Sequence, residues 1–492
     1  MHTSFNSPSS SSGKIIIGII ASVWTLVFID VTSSILKPRR EGARRGKDIE
    51  IHAQDTYRNR RILHSAFALL SEPWGFTNRH FATILAQLRP SPFWGRWGLH
   101  AKRRIENILI PEGGSLEVEF VEPIDFSNSS CSETPVVIIL HGINGSNKEP
   151  YIEQAALQIV VQKGWRAVIL NYGKIRVLND KMECALGGHN FMDGGDLNFL
   201  ISHIRKTHEG FLGVVGYSMG GAKLVQYLGR TREHCNVDAA CAISSPLDFT
   251  PNNVTVHNPV SFSHRAYHFF IASSLKFWIM KHYRELKKHP KVCNSKPFRR
   301  TSSGLIWWFQ SNLVTDFDDA ITIPAKGYLN LNQYYNDATV VEHLRRDVKI
   351  PLLILTSECD PIVPVEIIPG EHVAMENENI FIVSTKQLGG HCGFWLPGRG
   401  CWATRGCLDF FDSANTYLTP KKKSRVLRRQ SSLKAARNLQ RTSSTQLTDY
   451  FKLIAHDSFS NLKEDPATFP VVGYGKSMAP KRLSDTGFGQ RI

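Results

Sequence analysis

The chain has 492 residues and is 42% apolar, which is enough to build a sizeable buried core. Its net charge of +16 lies in two flanks, because residues 37–47 carry six basic residues against one acidic residue and the stretch from 421 to the end carries fifteen against five. Residues 48–420 are therefore close to neutral, which excludes a nucleic-acid-binding face on the folded body and predicts no nucleic-acid partner.

The N-terminal region predicts a membrane anchor. Residues 1–13 are polar and rich in serine, and an apolar run then extends from 15 to 36. About 20 apolar residues are enough to cross a bilayer as a helix. A cleaved signal peptide is the alternative, but its apolar region would be shorter, at about 7–15 residues. Because basic residues follow at once from Lys37, we predict a retained single-pass anchor over 14–36 and a membrane localisation.

The next segment, residues 37–104, is basic at its start and then mixed in composition. We predict helices and loops here that pack onto the main domain. Residues 105–111 and 115–122 alternate apolar and polar side chains around two glycines, which predicts a hairpin at the edge of a sheet.

An alternation of strands and helices follows, which predicts an α/β domain over 105–412. Crossover helices imply parallel strands and a central sheet covered on both faces. Residues 251–345 interrupt the alternation, so we predict an inserted helical cap there, with helices over 269–288 and 301–313. Residues 413–492 have the composition of a basic disordered tail, which either contacts anionic lipid or stays solvated. The predicted strands are 135–140, 165–172, 211–216, 237–244, 350–357 and 380–385, and the predicted helices are 151–163, 193–206, 219–228 and one around 407–411.

The motif Gly-Tyr-Ser-Met-Gly at 216–220 is the first catalytic candidate. It lies between a predicted strand and a predicted helix, which is the setting of a nucleophile elbow. The turn is too tight for side chains on both sides of Ser218, which explains Gly216 and Gly220. We predict Ser218 as the nucleophile.

A serine hydroxyl needs a base to take its proton and an acid to orient that base. In the predicted order of strands, Asp360 and His391 each follow a strand after the elbow. Glu358 is the alternative acid, two residues before Asp360. We predict Asp360 as the orienting acid and His391 as the general base.

The tetrahedral intermediate of acyl transfer also needs two N–H donors for its oxyanion. We predict the backbone N–H of Met219, directly after the nucleophile, and that of Ile143, in the loop after the strand at 135–140. The alternative interpretation of this loop is an ordinary turn at the end of a strand.

Nine cysteines, scattered and odd in number, do not predict a disulfide framework. His391 lies near Cys392, Cys401 and Cys407, which would admit a zinc site, but the spacing fits no common ligand pattern. Unpaired thiols beside a catalytic histidine are the simpler interpretation. We predict no metal and no cofactor.

Together these motifs resemble the α/β-hydrolase superfamily. Within it they are similar to the AB hydrolase 4 subgroup, which includes YheT-type hydrolases, embryogenesis-associated hydrolases and membrane-anchored abhydrolase-domain lipases. The resemblance implies the triad Ser218, Asp360 and His391 and substrates such as medium-chain esters, acylglycerols or phospholipids. The chain departs from the subgroup at 172–177, where the usual Arg-Gly-Cys-Gly-like turn is missing. The residues that carry the resemblance are 73–74, 78–80, 83–84, 141–146, 150–152, 216–221, 316–318, 334–335, 360–364 and 389–394.

The sequence thus predicts a membrane-anchored serine hydrolase that cleaves lipid-like carboxylic esters through an acyl-enzyme. An acyltransferase or ester synthase would use the same triad, so it stays an alternative. A catalytically silent hydrolase fold used as a scaffold is the alternative from a different class. The predicted partners are a lipid-like ester substrate and a membrane. The N-terminal span would bind the membrane, and so would the basic tail if it contacts lipid.

Overall fold

The structure is a computed structural model that describes twelve parts of the chain. The predicted membrane anchor and nearly all of the predicted tail lie outside them. The chain divides into two units, Met1–Thr419 and Pro420–Ile492, and all described residues belong to the first. Within these parts, no helix is both long and apolar enough to cross a membrane. The described ranges are 49–67, 79–87, 98–110, 115–126, 132–171, 175–178, 183–186, 195–249, 262–299, 302–386, 388–396 and 400–417.

A central sheet organises the described residues, with nine of their strands in the order β1-β11-β10-β9-β8-β4-β5-β3-β2. The six strands from β11 to β5 in this order are parallel to one another. At the two edges, β1 and the β2–β3 hairpin run antiparallel. The strands are β1 Ile49–His52, β2 Ala101–Leu109, β3 Ser115–Pro123, β4 Val136–Leu140, β5 Arg166–Asn171, β6 Ile175–Leu178, β7 Glu183–Leu186, β8 Leu212–Tyr217, β9 Ala239–Ile243, β10 Leu352–Ser357, β11 Ile380–Thr385, β12 Trp395–Leu396 and β13 Gly400–Cys401.

Helices cover both faces of this sheet. The continuous apolar run of β4 shows why, since Ile138 and Leu140 lie in one buried cluster while Val137 and Ile139 lie in another. Successive side chains of a strand point to opposite faces, so both faces must be shielded from water. The predicted mostly parallel sheet with helices on both faces is confirmed. The helices are α1 Tyr57–Phe67, α2 Arg79–Gln87, α3 Pro150–Lys163, α4 Gly195–Arg205, α5 Met219–Thr231, α6 Phe262–Lys281, α7 Tyr283–Lys288, α8 Ser302–Gln310, α9 Val314–Phe317, α10 Ile323–Lys326, α11 Leu331–Ala338, α12 Glu371–Glu376 and α13 402–417.

Between β9 and β10 the described residues are mostly helical, from α6 to α11, with a π-helical turn Asp318–Thr322 between α9 and α10. This helical segment has a core of its own, which includes Leu275, Trp278 and Phe298. The predicted helix over 269–288 is two helices, because α6 begins at Phe262 and the chain leaves helical geometry at His282.

Three boundaries differ from the sequence-based expectation. Ile49–His52 forms an edge strand beside β11, where the sequence predicts a helix or loop. The strand has four residues, which is too short for its alternating pattern to be recognised in the sequence. The hairpin strand β2 begins at Ala101 instead of 105, since its basic start pairs with charge on β3, where Arg103 Nε lies 2.7 Å from Glu119 Oε1. Residues 413–417, assigned to the tail from the sequence, continue helix α13.

Candidate active site

Ser218 lies at the sharp turn between strand β8 and helix α5. Its backbone is in a rarely populated region, with φ 53° and ψ −123°, and its N–H donates to the carbonyl of Ile243 at 2.8 Å. Such a conformation costs about 1–3 kcal/mol and persists only when the surroundings hold it. A Cβ on Gly216 would come within 2.5 Å of the Gly220 backbone, and one on Gly220 within 2.5 Å of the His141 carbonyl. The turn therefore requires both glycines.

The structure brings Ser218, His391 and Asp360 together in one hydrogen-bonded chain. Ser218 Oγ lies 3.0 Å from His391 Nε2, and His391 Nδ1 lies 2.9 Å from Asp360 Oδ2. A carboxylate can only accept, so Nδ1 carries the proton and Nε2 is left to accept from the serine hydroxyl. Each of the three residues follows a parallel strand, namely β8, β10 and β11, at the carboxyl edge of the sheet.

Asp360 is held by its own loop. Its Oδ1 accepts the backbone N–H of Ile362 at 2.8 Å and that of Val363 at 2.9 Å. The carboxylate is thereby aimed at the imidazole while its charge stays out of water. Glu358, the alternative acid, is exposed to solvent. The structure therefore places Asp360, and not Glu358, against His391.

The buried pair of His391 and Asp360 alters the basicity of the imidazole. Burial alone lowers the pKa of His391, but the charge and hydrogen bond of Asp360 outweigh it and raise the pKa well above its ordinary value of 6.5. An opposite charge at hydrogen-bond distance favours the protonated form of a base. The imidazole is thus a strong proton acceptor for the serine hydroxyl.

Helix α2 supports the loop that carries His391, a role that the sequence alone did not indicate. Thr83 Oγ1 accepts the backbone N–H of His391 at 2.9 Å. A Cβ on Gly390 or Gly393 would collide with the backbone of α2. The close approach of the two backbones fixes the position of His391 from behind. The sequence predicts only that helices and loops within 37–104 pack onto the main domain.

The loop after β4 approaches the nucleophile from the other side. A Cβ on Gly142 would lie 3.4 Å from Ser218 Cβ, so only a glycine leaves this space open. The N–H of Gly142 donates to Tyr151 Oη at 3.0 Å and is therefore occupied. The N–H groups of Ile143 and Met219 donate to no backbone acceptor among the residues that the structure describes. Both residues line the cavity that contains Ser218.

A cavity opens above Ser218, between the sheet and the helical insertion. The insertion supplies its roof through α6, α9 and α11, and the loop that carries Asp360 supplies one wall. Ten of the fifteen lining residues are apolar, and the other five are Ser218, Thr315, Tyr335 and two histidines. The lining residues are Ile143, Ser218, Met219, Pro246, Phe249, His264, His268, Ile271, Val314, Thr315, Tyr335, Ile362, Val363, Pro364 and Ile367.

Nothing in the described part of the chain assembles three or more His, Cys, Asp or Glu side chains into a metal site. Both ring nitrogens of His391 are engaged by Ser218 and Asp360, so this ring is not a ligand shared with the neighbouring cysteines. Cys392, Cys401 and Cys407 are free thiols and buried.

Comparison with known proteins finds relatives in animals, yeast and bacteria. The human phospholipase ABHD3 is 26% identical over 308 residues, covering 61% of this chain and 68% of its own. The Saccharomyces cerevisiae monoacylglycerol lipase is 23% identical over 312 residues, covering 61% and 64%. The Escherichia coli putative esterase YheT is 25% identical over 350 residues, covering 66% and 89%. No family model matches the chain.

Proposed function

We propose that the chain is an α/β-hydrolase that cleaves carboxylic esters with a serine nucleophile, since its sheet is mostly parallel and its sequence is similar to the putative esterase YheT and to the human phospholipase ABHD3. The observation that carries the proposal is the hydrogen-bonded chain from Ser218 through His391 to Asp360. An elbow serine within reach of an oriented imidazole has the arrangement needed for acyl transfer.

In the proposed first half-reaction, His391 Nε2 takes the Ser218 proton while Oγ attacks the ester carbonyl carbon. The carbonyl oxygen becomes an oxyanion that accepts hydrogen bonds from the N–H groups of Met219 and Ile143. Each such donor contributes about a hundred- to a thousandfold to kcat. When the C–O bond breaks, the protonated imidazole gives its proton to the departing alcohol, and the acyl group remains on Ser218.

In the second half-reaction, His391 takes a proton from water, and the resulting hydroxide equivalent attacks the acyl carbon. The tetrahedral intermediate uses the same two N–H donors. Its collapse releases the carboxylic acid and returns the proton to Ser218 Oγ. Asp360 keeps the imidazole in the tautomer that both steps require, and it stabilises the imidazolium that forms in each.

We further propose that the acyl group is a medium-chain, lipid-like one, as in acylglycerols or phospholipids. The apolar lining of the cavity, with residues such as Phe249, Ile271 and Val363, supports this. The names of the human relative, a phospholipase, and the yeast relative, a monoacylglycerol lipase, point to the same class of substrate.

A chain-length series of p-nitrophenyl esters tests the proposed substrate class. We expect kcat/KM to rise from acetate to octanoate, by at most about fourfold for each methylene that the cavity buries. The rise should end at the length that fills the cavity. A preference for acetate over every longer ester would contradict the proposal.

We also propose that the protein is anchored in a membrane by residues 14–36, which lie outside the described residues. An exposed apolar face on α6 supports contact with lipid, since Phe277 is 67% and Met280 is 62% exposed. Exposed Arg265 and Lys281 lie near the two ends of the same helix, where they would favour anionic lipid.

Extraction of membranes with alkaline carbonate tests the anchor. We expect the full chain to stay in the membrane pellet, because a spanning apolar helix is not released when peripheral contacts are broken. A peripheral membrane protein in the same preparation is the control and should be released. Recovery of this chain in the supernatant with that control would contradict the anchor.

A further inference from the structure

Two histidines interrupt the apolar wall of the cavity above Ser218. His264 and His268 both lie on α6, four residues apart, and their rings meet edge to face with centroids 4.8 Å apart. Residues four apart lie on one face of a helix, so α6 presents both rings on its inner side. Apolar cavities with a few placed polar groups use those groups to orient a ligand.

The first of these histidines has a structural role. Burial lowers the pKa of His264, and a hydrogen bond with the backbone at Ile362 opposes that effect. Ile362 belongs to the loop that holds the carboxylate of Asp360. His264 thus ties the helix of the roof to the loop that orients His391.

No such role accounts for His268. The residue is 7% exposed, and its Nδ1 has no hydrogen-bond partner among the residues that the structure describes. A buried polar group without a partner is destabilising, and an apolar side chain at this position would avoid that cost. Because His268 lines the cavity, its imidazole is placed to contact a ligand that occupies it.

The chemistry of this ring limits what it can bind. Burial, together with the neighbouring His264, lowers the pKa of His268 to about 4. The imidazole is therefore neutral at neutral pH, with one nitrogen that donates and one that accepts. No lysine or arginine lines the cavity among the described residues. Among the described lining residues no cationic side chain would pair with an anionic group, whereas a hydroxyl can both donate to and accept from this ring.

We propose that His268 forms a hydrogen-bonding subsite for a free hydroxyl group on the alcohol part of the ester substrate, as in a partial acylglycerol. This inference rests on the proposed ester hydrolysis at Ser218. In lipid esters the acyl chain is hydrocarbon and the polyol carries the hydroxyls, so the hydroxyl identifies the alcohol side. The subsite selects a neutral polyol ester over a phosphate-bearing one.

The test compares two esters with the same acyl chain, monooctanoylglycerol and methyl octanoate, in the full-length protein. In His268→Phe, which keeps a planar ring of similar size, we expect kcat/KM for monooctanoylglycerol to fall about 10- to 100-fold. The value for methyl octanoate, which has no free hydroxyl, should fall by a clearly smaller factor, so the ratio of the two kcat/KM values should drop. His268→Gln, which keeps a donor and an acceptor, should restore part of the difference between the two esters.

Ile271→Val is the matched control, because Ile271 lines the same cavity from the same helix without a polar group. It should lower kcat/KM for both esters by the same factor. An equal fall for both esters in His268→Phe would overturn the subsite and leave a packing role. A fall confined to a lysophospholipid with the same acyl chain would overturn the choice of a hydroxyl in favour of phosphate.

The two esters are also compared by their binding affinities. These are measured for Ser218→Ala alone and for Ser218→Ala combined with each His268 substitution. We expect the glycerol ester to lose affinity in His268→Phe while methyl octanoate does not. Because binding does not require turnover, this measurement separates the proposed hydroxyl subsite from the proposed ester hydrolysis. If the wild type hydrolyses neither ester while this binding difference is present, the proposed hydrolysis fails and the subsite stands.

Discussion

Ser218→Ala and His391→Ala should each lower kcat for ester hydrolysis by about a million-fold, and the double variant should be no slower than either. The reason is the hydrogen bond of 3.0 Å between Ser218 Oγ and His391 Nε2. Through this contact the base activates that hydroxyl, so removing either partner removes the same acylation step. Steady-state turnover of p-nitrophenyl octanoate by the four proteins measures the effect.

His372→Ala is the matched control for this series, because His372 is an exposed histidine outside the hydrogen-bonded chain. Its turnover should stay within about twofold of wild type. A His391→Ala variant that keeps a tenth or more of the wild-type kcat would contradict the assignment of the base.

Asp360→Asn should lower kcat by about ten-thousandfold while leaving the fold intact. The amide oxygen can still accept the N–H groups of Ile362 and Val363, so the loop keeps its conformation. The amide cannot hold the imidazole in the required tautomer, and it carries no charge to stabilise the imidazolium. Thermal unfolding measured beside turnover separates the catalytic loss from a folding defect.

The same variant should shift the pH dependence in a defined direction. Burial lowers the pKa of His391 and the charge of Asp360 raises it, with the second effect larger. The general base acts in its neutral form, so wild-type kcat/KM should rise with pH only above the ordinary histidine value of 6.5. In Asp360→Asn the carboxylate charge is removed, but burial still lowers the pKa of His391. The rise of kcat/KM with pH should therefore move to lower pH.

Glu358→Gln is the matched control for Asp360→Asn. It removes a carboxylate two residues away that is exposed to solvent. Its turnover and its pH profile should both match the wild type. A pH profile of Asp360→Asn that coincides with that of the wild type would contradict the role of Asp360.

Much of the architecture can be predicted from the sequence because parallel strands buried on both faces are continuous apolar runs. Strands β4, β10 and β11 have this pattern, and all three are fully buried. Once the strands are known, residues that directly follow them meet at one edge of the sheet. That rule alone places Ser218, Asp360 and His391 near one another.

Other features depend on contacts between distant segments and leave no local pattern. The hydrogen bond from His391 N–H to Thr83 joins residues 308 positions apart. Nothing near either residue indicates that α2 lies behind the catalytic loop. Strand β1 is likewise defined by its pairing with β11, since four residues of alternating character occur in many loops. That Nδ1 of His268 has no hydrogen-bond partner among the described residues becomes visible only when the roof is packed over the cavity.

The central claim is that Ser218 is an activated nucleophile, and fluorophosphonate labelling of the full-length protein tests it most directly. Mass spectrometry of the labelled wild type should locate a single phosphonylated peptide containing Ser218. Ser218→Ala should take up no label, and His391→Ala should label far more slowly because its hydroxyl has no base. A folded wild type that stays unlabelled, also in detergent, would contradict the account and favour a catalytically silent scaffold.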